Sequence, residues 1–256
     1  MEEKRINKAI SDTGYCSRRT ADSLIDEGRV TVNGEKAVMG VKVTAEDEIR
    51  IDGKIISNKP PMVYIALNKP RGIECTTNRK TRGNIIDFVK HKERIFPVGR
   101  LDKDSEGLIL LTNDGDIVNK ILRARNHHEK EYIVTVNKPI TEAFLRRMSG
   151  KIPVLGTMTR ESKVEKIDDH TFRIILTQGL NRQIRRMTEY LGYNVVALQR
   201  VRIMNIVLGN LKLGTYRDLS PLELRTLNEL VDDSKKTIDY SMVFSLLKFN
   251  FESIFS

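Results

Sequence analysis

The chain has 256 residues, 39% of them hydrophobic and 30% charged, a balance that fits a globular protein and excludes a disordered one. Lys and Arg number 44 against 34 Asp and Glu, a net charge of +10, so a polyanion such as nucleic acid is the leading class of partner. Two cysteines and four histidines exclude a disulfide framework and a thiolate-rich zinc site, and leave only a carboxylate-held Mg²⁺ open as metal chemistry.

The chain starts Met-Glu-Glu-Lys-Arg, without the basic-then-apolar pattern of a secretory signal, and no apolar run nears the roughly 18 residues of a membrane span. A cytoplasmic protein without membrane contact is expected. Ile6, Ala9 and Ile10 share one helix face and Gly14 stops that helix. A second helix starts from Ser17, a good N-cap, carries Ala21, Leu24 and Ile25 on one face and ends at Gly28. Val30 and Val32 then alternate ahead of Asn33-Gly34, the pair best suited to a tight hairpin because both positions accept positive φ. Two helices and a hairpin predict a compact module over residues 3–57. Arg18 and Arg19 point away from its apolar stripe, and Arg29 follows the second helix; pattern alone favours a solvated polar face for them.

Asn58-Lys59-Pro60-Pro61 predicts a linker over residues 58–62, stiffened by two prolines that continue neither helix nor sheet. Beyond it, patterning predicts strands at 62–67, 107–111, 132–136, 172–176, 195–198 and 203–208. Helices are predicted at 84–89, 116–122, 141–148, 181–191 and 221–231, the last from a Ser220 cap. Mixed without regular βαβ spacing, these elements predict an α+β domain with a largely antiparallel sheet over residues 63–233. Residues 234–256, with Phe244, Phe249 and Phe251, are expected to form a helical C-terminal extension that packs back on the domain.

The charge is uneven. Residues 1–60 carry 11 basic and 11 acidic side chains and residues 201–256 carry 7 of each, so the whole excess lies between them. It is densest over residues 79–100, where seven Lys or Arg face only Asp87 and Glu93. Such a run is ordinarily a solvated surface. A groove facing phosphates is the sharper reading, because Arg79, Lys80 and Arg82 open a run that ends at Arg100, inside the chain's most unusual loop.

That loop, Gly99-Arg100-Leu101-Asp102-Lys103-Asp104-Ser105-Glu106-Gly107, sets three acids and two bases between two glycines ahead of an apolar strand. A loop held in one shape can aim side chains into a cleft. Taken alone, its carboxylates are equally consistent with a charged turn, a hydrolase acid/base pair or a Mg²⁺ site. A second segment, Gln178-Gly179-Leu180-Asn181-Arg182-Gln183-Ile184-Arg185-Arg186-Met187, places Asn181 as a helix cap and Ile184, Met187 and Leu191 on an apolar stripe. Arg182, Arg185 and Arg186 lie off that stripe, as a solvated face or as a set in which one pairs with a loop acid and others take phosphates.

The pattern Gly-Arg-Leu-Asp-x-x-Ser-x-Gly-Leu-x-x-Leu-Thr-Asn-Asp-Gly from Gly99, then Lys130-Glu131-Tyr132, then Gly-Leu-Asn-Arg-Gln-Ile-Arg-Arg-Met from Gly179 strongly resembles the ribosomal RNA pseudouridine synthases of the RsuA/RluF type. Cys-Ser-Arg-Arg, Leu-Ile-Asp-Glu-Gly-Arg-Val and Val-Asn-Gly resemble the S4-type RNA-binding module that precedes the catalytic domain in those enzymes. The resemblance spans residues 3 to about 232, in the family's order. It implies an S4-like module followed by a mixed, largely antiparallel pseudouridine synthase domain. It also implies isomerisation of uridine to pseudouridine in structured RNA by a cytoplasmic monomer.

By the same resemblance, Asp102 matches the catalytic aspartate, Tyr132 the active-site tyrosine and Arg185 the arginine paired with the aspartate. Arg100 matches a residue implicated in displacing the target nucleotide. Arg18, Arg19 and Arg29 become RNA contacts of the module; from the basic run, Arg79, Lys80 and Arg82, and from the second segment, Asn181, Arg182 and Arg186, are the expected RNA contacts of the catalytic domain. The reaction exchanges a C1′–N1 bond for a C1′–C5 bond with the same base and needs no cofactor, in keeping with a sequence that has no P-loop or Rossmann fingerprint. Arg125-Asn126-His127-His128-Glu129-Lys130-Glu131-Tyr132 and Arg202-Ile203-Met204-Asn205 look closest to the RluF branch, which acts on large-subunit (23S) ribosomal RNA and in some members on tRNA. His127 and His128 read as an ordinary polar loop rather than metal ligands. A non-catalytic RNA-binding or ribosome-assembly factor is the competing reading, for which Asp102, Tyr132 and Arg185 together have no evident use. A carboxylate-dependent nuclease is a weaker third.

Overall fold

The computed structural model describes residues 3–56, 60–122 and 127–232. The expected C-terminal helix, the start of the linker at Asn58 and Lys59, and Arg125 and Asn126 lie outside the described residues. The chain divides into two compact units: residues up to Val63 with His91–Ile95 and Asn113–Gly115, and the remainder.

The first unit holds β1 (Lys4–Arg5), α1 (Ile6–Asp12), α2 (Arg18–Asp26), β2 (Val30–Val32), β3 (Glu35–Lys36), β4 (Lys42–Val43), β5 (Ile49–Ile51) and β6 (Lys54–Ile55). Ser17 caps α2 by accepting a hydrogen bond from the Thr20 amide at 3.1 Å. Asn33 and Gly34 take φ of 51° and 88°, the two positive values that close the β2–β3 hairpin. The apolar faces of both helices, Ile6 and Ile10 with Ala21, Leu24 and Ile25, meet Val30, Val43, Ile49 and Ile51 in one core. Antiparallel pairing runs β3-β2-β5-β6, with β1 and β4 as a separate pair. Where the chain leaves the module, the Asn113 side chain accepts from the Val63 amide at 2.8 Å and donates to the Pro61 carbonyl at 2.9 Å.

The second unit continues with β7 (Tyr64–Lys69), α3 (Ile85–Val89), β8 (Phe96–Pro97), β9 (Glu106–Thr112), α4 (Gly115–Leu122), β10 (Lys130–Val136), α5 (Glu142–Ser149), β11 (Pro153–Val154) and β12 (Thr157–Met158). It ends with β13 (Lys163–Lys166), β14 (Thr171–Leu176), α6 (Gln183–Tyr190), β15 (Val195–Ile203), β16 (Ile206–Val207), β17 (Tyr216–Asp218) and α7 (Pro221–Asp232). The sheet order is β13-β14-β10-β15-β9-β7-β17, with β16 on β15 and β8 on β9. Among the described pairings of this sheet only β9 with β15 is parallel. The architecture is therefore α+β with a largely antiparallel sheet. A core of Leu108, Leu110, Ile117, Ile121, Ile203, Ile206, Leu227 and Val231 ties α4 and α7 to that sheet, each side chain contributing roughly 1.5–3 kcal/mol of burial before entropy is counted. Ser220 and Glu223 form a reciprocal capping box at α7.

The parallel pair depends on one glycine. Gly107 sits opposite Arg200 at φ +103°, and a Cβ there would lie 2.3 Å from the Arg200 carbonyl oxygen. No other residue tolerates both the conformation and the approach.

Three local expectations are corrected. The helix expected at 181–191 begins at Gln183, because Arg182 is left-handed at φ 52° and no side chain caps it. Asn181 is not a cap; its carbonyl and side-chain oxygens accept from Arg186 at 3.1 and 3.5 Å. The two strands expected at 195–198 and 203–208 are one long β15 and a short β16, separated by a turn at Met204, φ 52°. Buried Arg200 and Arg202 interrupt the apolar pattern there without interrupting the strand. Among the described residues no helix is long and apolar enough to cross a membrane.

Candidate active site

The acidic loop leaves β8, turns at Gly99 with φ +77° and is pinned before it enters β9. The buried Cys75 sulfur accepts from the Leu101 amide at 3.4 Å, the Lys103 carbonyl accepts from Gly72 at 2.8 Å, and the Ser105 amide closes onto the Asp102 carbonyl at 3.1 Å. This pinning leaves the Asp102 side chain 32% exposed at the crest. Two arginines at the start of α6 approach it without closing: Arg182 Nη1 is 3.7 Å and Arg185 Nε 3.9 Å from Asp102 Oδ2. Both distances exceed a good charge-assisted hydrogen bond.

Arg185 is buried, not solvated as an off-stripe arginine would be. Its Nη2 donates to the Asp104 carbonyl and the Ser105 hydroxyl, both at 3.2 Å, and its Nη1 to the Val195 carbonyl at 3.4 Å. Its Nε is buried without a hydrogen-bond partner. Burial lowers the guanidinium's pKa, and Arg182 adds to that, while Asp102 and Asp104 oppose it. An arginine keeps its charge regardless.

Tyr132 lies half-buried on β10. Opposite it the ladder skips one residue: Glu131 pairs with Arg202 but Tyr132 with Arg200, so Val201 is bulged. The bulge sends the two arginines to opposite faces of the sheet. Arg200 goes to the tyrosine, with Cζ 6.0 Å from the ring centroid. Lys130, two residues before Tyr132 on the same face, has an ammonium pKa pulled down to about 8 by burial and by Arg200. Lys69 is fully buried and donates to the Pro70 and Ile73 carbonyls at 2.8 and 2.9 Å; burial lowers its pKa.

Arg202 goes to the other face, where its Nη2 and Nε reach Glu129 at 2.9 Å and Glu131 at 2.6 Å. Glu131 also takes Arg173 at 2.6 Å, and Arg173 reaches Glu165 at 2.8 Å. His128 corrects another expectation in part. It lies in the loop before β10, as expected, but is buried rather than solvated, with Nδ1 3.0 Å from the Ile121 carbonyl; burial lowers its pKa.

The loop carboxylates do not gather around a common point. Asp104 is 3.9 Å from Arg182, and Glu106 lies 3.6 Å from Arg71, so each of these carboxylates faces an arginine. Among the described residues no three His, Cys, Asp or Glu side chains are arranged to hold a metal ion. Arg18, Arg19, Arg79, Lys80, Arg82 and Arg100 are exposed. Arg29 is committed within its module to Asp52 at 2.6 and 2.9 Å and to Glu27 at 3.1 Å. The structure thus brings Asp102, Arg182 and Arg185 together and sets Tyr132 against Arg200, which the sequence reading missed along with Lys69, Lys130 and Cys75. The available signal was charge inside apolar segments: Lys69 ends one buried strand, and Arg200 stands between Leu198 and Ile203 in another.

Residues 63–190 match the family model for RNA pseudouridylate synthase, and residues 4–49 match the S4 domain. The chain belongs to the RNA pseudouridine synthases. It is 55% identical over 232 residues to the dual-specificity RNA pseudouridine synthase RluF of Salmonella typhi, covering 90% of this chain and 80% of that protein. Identity is 36% over 241 residues with the ribosomal large subunit pseudouridine synthase B of Bacillus subtilis, covering 91% and 98%. A solved pseudouridylate synthase superposes with a TM-score of 0.65 at 32% identity, over 87% of this chain and 99% of that one. This RNA pseudouridine synthase is of the RsuA/RluF type, with an S4 domain ahead of its catalytic domain, and it isomerises uridine in RNA to pseudouridine. The readings as a non-catalytic RNA-binding factor and as a nuclease find no support.

Proposed function

We propose that this enzyme acts on uridine in large-subunit ribosomal RNA, with tRNA as a second substrate, as a monomer in the cytoplasm, and that Asp102, Tyr132 and Arg185 carry the reaction. The observation that bears most weight is Asp102: a half-exposed carboxylate on a pinned loop, approached at 3.7 and 3.9 Å by two arginines that do not saturate it. The names of the relatives support the choice of RNA, since one is called dual-specificity and another a large-subunit enzyme.

Chemically, the C1′–N1 bond breaks with its electron pair going to the base. The Asp102 carboxylate acts at the sugar, either bonding to C1′ or taking the C2′ proton. The detached base turns and C5 bonds to C1′, which releases the Asp102 carboxylate from C1′ on the first route or is accompanied by return of the proton from Asp102 to C2′ on the second. The C5 proton is then lost while N1 gains one, so atoms balance without a co-reactant and Asp102 is regenerated. Tyr132 offers a ring on which uracil stacks, and Arg185 holds the aspartate's partner charge. The target must leave its stack first, at a cost of a few kcal/mol that phosphate contacts offset. Those contacts are assigned to Arg18, Arg19 and Arg29 in an RNA-binding module over residues 3–57. In a catalytic domain over residues 63–233 they are assigned to Arg79, Lys80, Arg82, Arg100, Asn181, Arg182 and Arg186.

Mapping pseudouridine in ribosomal RNA and tRNA from cells with and without this chain tests the substrate. Loss at one or a few large-subunit positions, with or without a tRNA position, is the expected outcome. A change confined to small-subunit RNA would overturn it.

A further inference from the structure

Strand β15 carries a buried guanidinium that none of these steps uses. Arg200 is 3% exposed, and its fork spans separate segments. Nε donates to the Leu108 carbonyl in β9 at 2.7 Å, and Nη1 reaches the carbonyl of Arg100, two residues before Asp102, at 3.4 Å. Its Cζ lies over the Tyr132 ring, 6.0 Å from the centroid. Two irregularities of the chain serve this placement. The bulge at Val201 turns Arg200 toward Tyr132 instead of toward the acids that hold Arg202, and the absence of a Cβ at Gly107 lets the Arg200 backbone come against β9.

Stability alone does not account for the residue. Its Nη2 is buried with no hydrogen-bond partner, and a buried cation with an unmet donor is costlier than an apolar side chain of similar volume. We infer that Arg200 is a positioning residue, whose planar fork holds the entry of the Asp102 loop and the Tyr132 ring in fixed relation, so that a base detached at the aspartate stays against the tyrosine while it turns. The inference rests on the roles proposed above for Asp102 and Tyr132. It specifies geometry rather than charge: a lysine ammonium at this position keeps the cation but cannot span both carbonyls as a fork does.

The test uses the full chain and total RNA from cells lacking it, with kcat and KM measured for pseudouridine formation and thermal unfolding followed in parallel. Arg200→Met and Arg200→Lys should each lower kcat about tenfold or more while KM stays within about threefold, because misplacing reacting groups by even 1 Å is that costly. Should Arg200→Met fail to fold, Arg200→Lys, which keeps the charge and most of the volume, carries the test. A wild-type rate in Arg200→Lys, or a loss confined to KM, overturns the inference. Tyr132→Leu in the same assay separates the two layers: full activity there sinks the role of Tyr132, whereas an impaired Tyr132→Leu beside a normal Arg200→Lys sinks only that of Arg200.

Discussion

Two clusters of acids and arginines sit in the catalytic domain, and they are built in opposite ways. Glu129, Glu131, Arg202 and Arg173 close at 2.6 to 2.9 Å, with the first three side chains at most 8% exposed. Asp102, Arg182 and Arg185 stand at 3.7 and 3.9 Å, with Asp102 at the surface and Arg185 Nε unmet. The first cluster has its hydrogen-bonding capacity committed and holds strands β10, β14 and β15 together. The second keeps capacity in reserve, which is what a site needs if a substrate is to complete it. On the proposed roles, ion pairs of similar composition serve stability where they are closed and chemistry where they are left open.

The largest expected effect breaks the closed cluster. Glu131→Gln leaves Arg202 and Arg173 facing an amide in a buried setting, and should cost about 3–5 kcal/mol, read as a fall in denaturant midpoint. Asp102→Asn, by contrast, should change stability by less than about 1 kcal/mol, because its pairs are long and partly solvated. Equal losses would remove the distinction between the clusters.

A pH series sharpens the same contrast. Burial raises the pKa of Glu131, but hydrogen bonds and charge from Arg173 and Arg202 outweigh it and hold the pKa below the usual glutamate value of 4.5. A carboxyl depressed on folding contributes stability that is full above its unfolded pKa and lost as pH falls through the folded one. Wild-type unfolding free energy should therefore decline more steeply below about pH 4.5 than that of Glu131→Gln, and parallel curves would contradict the pairing.

The smallest effect concerns the basic run. Replacing Arg79, Lys80 and Arg82 by Gln should weaken RNA binding and flatten the slope of log affinity against log salt by about 2 to 3, if each meets one phosphate. An unchanged slope means that these exposed side chains face water.

Local signals made much of the fold legible. Ser17, Asn33-Gly34 and Ser220 act where sequence placed them, because caps and tight turns are decided by neighbours in the chain. Strand order was not legible, since the parallel β9–β15 pairing turns on Gly107 meeting Arg200 93 residues away. The short strands β11, β12, β13 and β17 show no alternation to read. At the site, motif resemblance pointed to Asp102, Tyr132 and Arg185, whereas Arg200 and the Arg202 cluster went unseen. Pattern treats arginine as a surface residue, and whether it is buried depends on acids and carbonyls supplied by distant strands. The start of α6 was misplaced for a related reason: Arg182 takes a left-handed conformation that nothing in its identity announces.

The most direct test of the open cluster is pseudouridine formation by purified Asp102→Asn on total RNA from cells lacking the chain, with RNA retention measured alongside. A loss of about 10³-fold or more is expected, with retention and unfolding midpoint unchanged. Pseudouridine formed at the wild-type rate would contradict it.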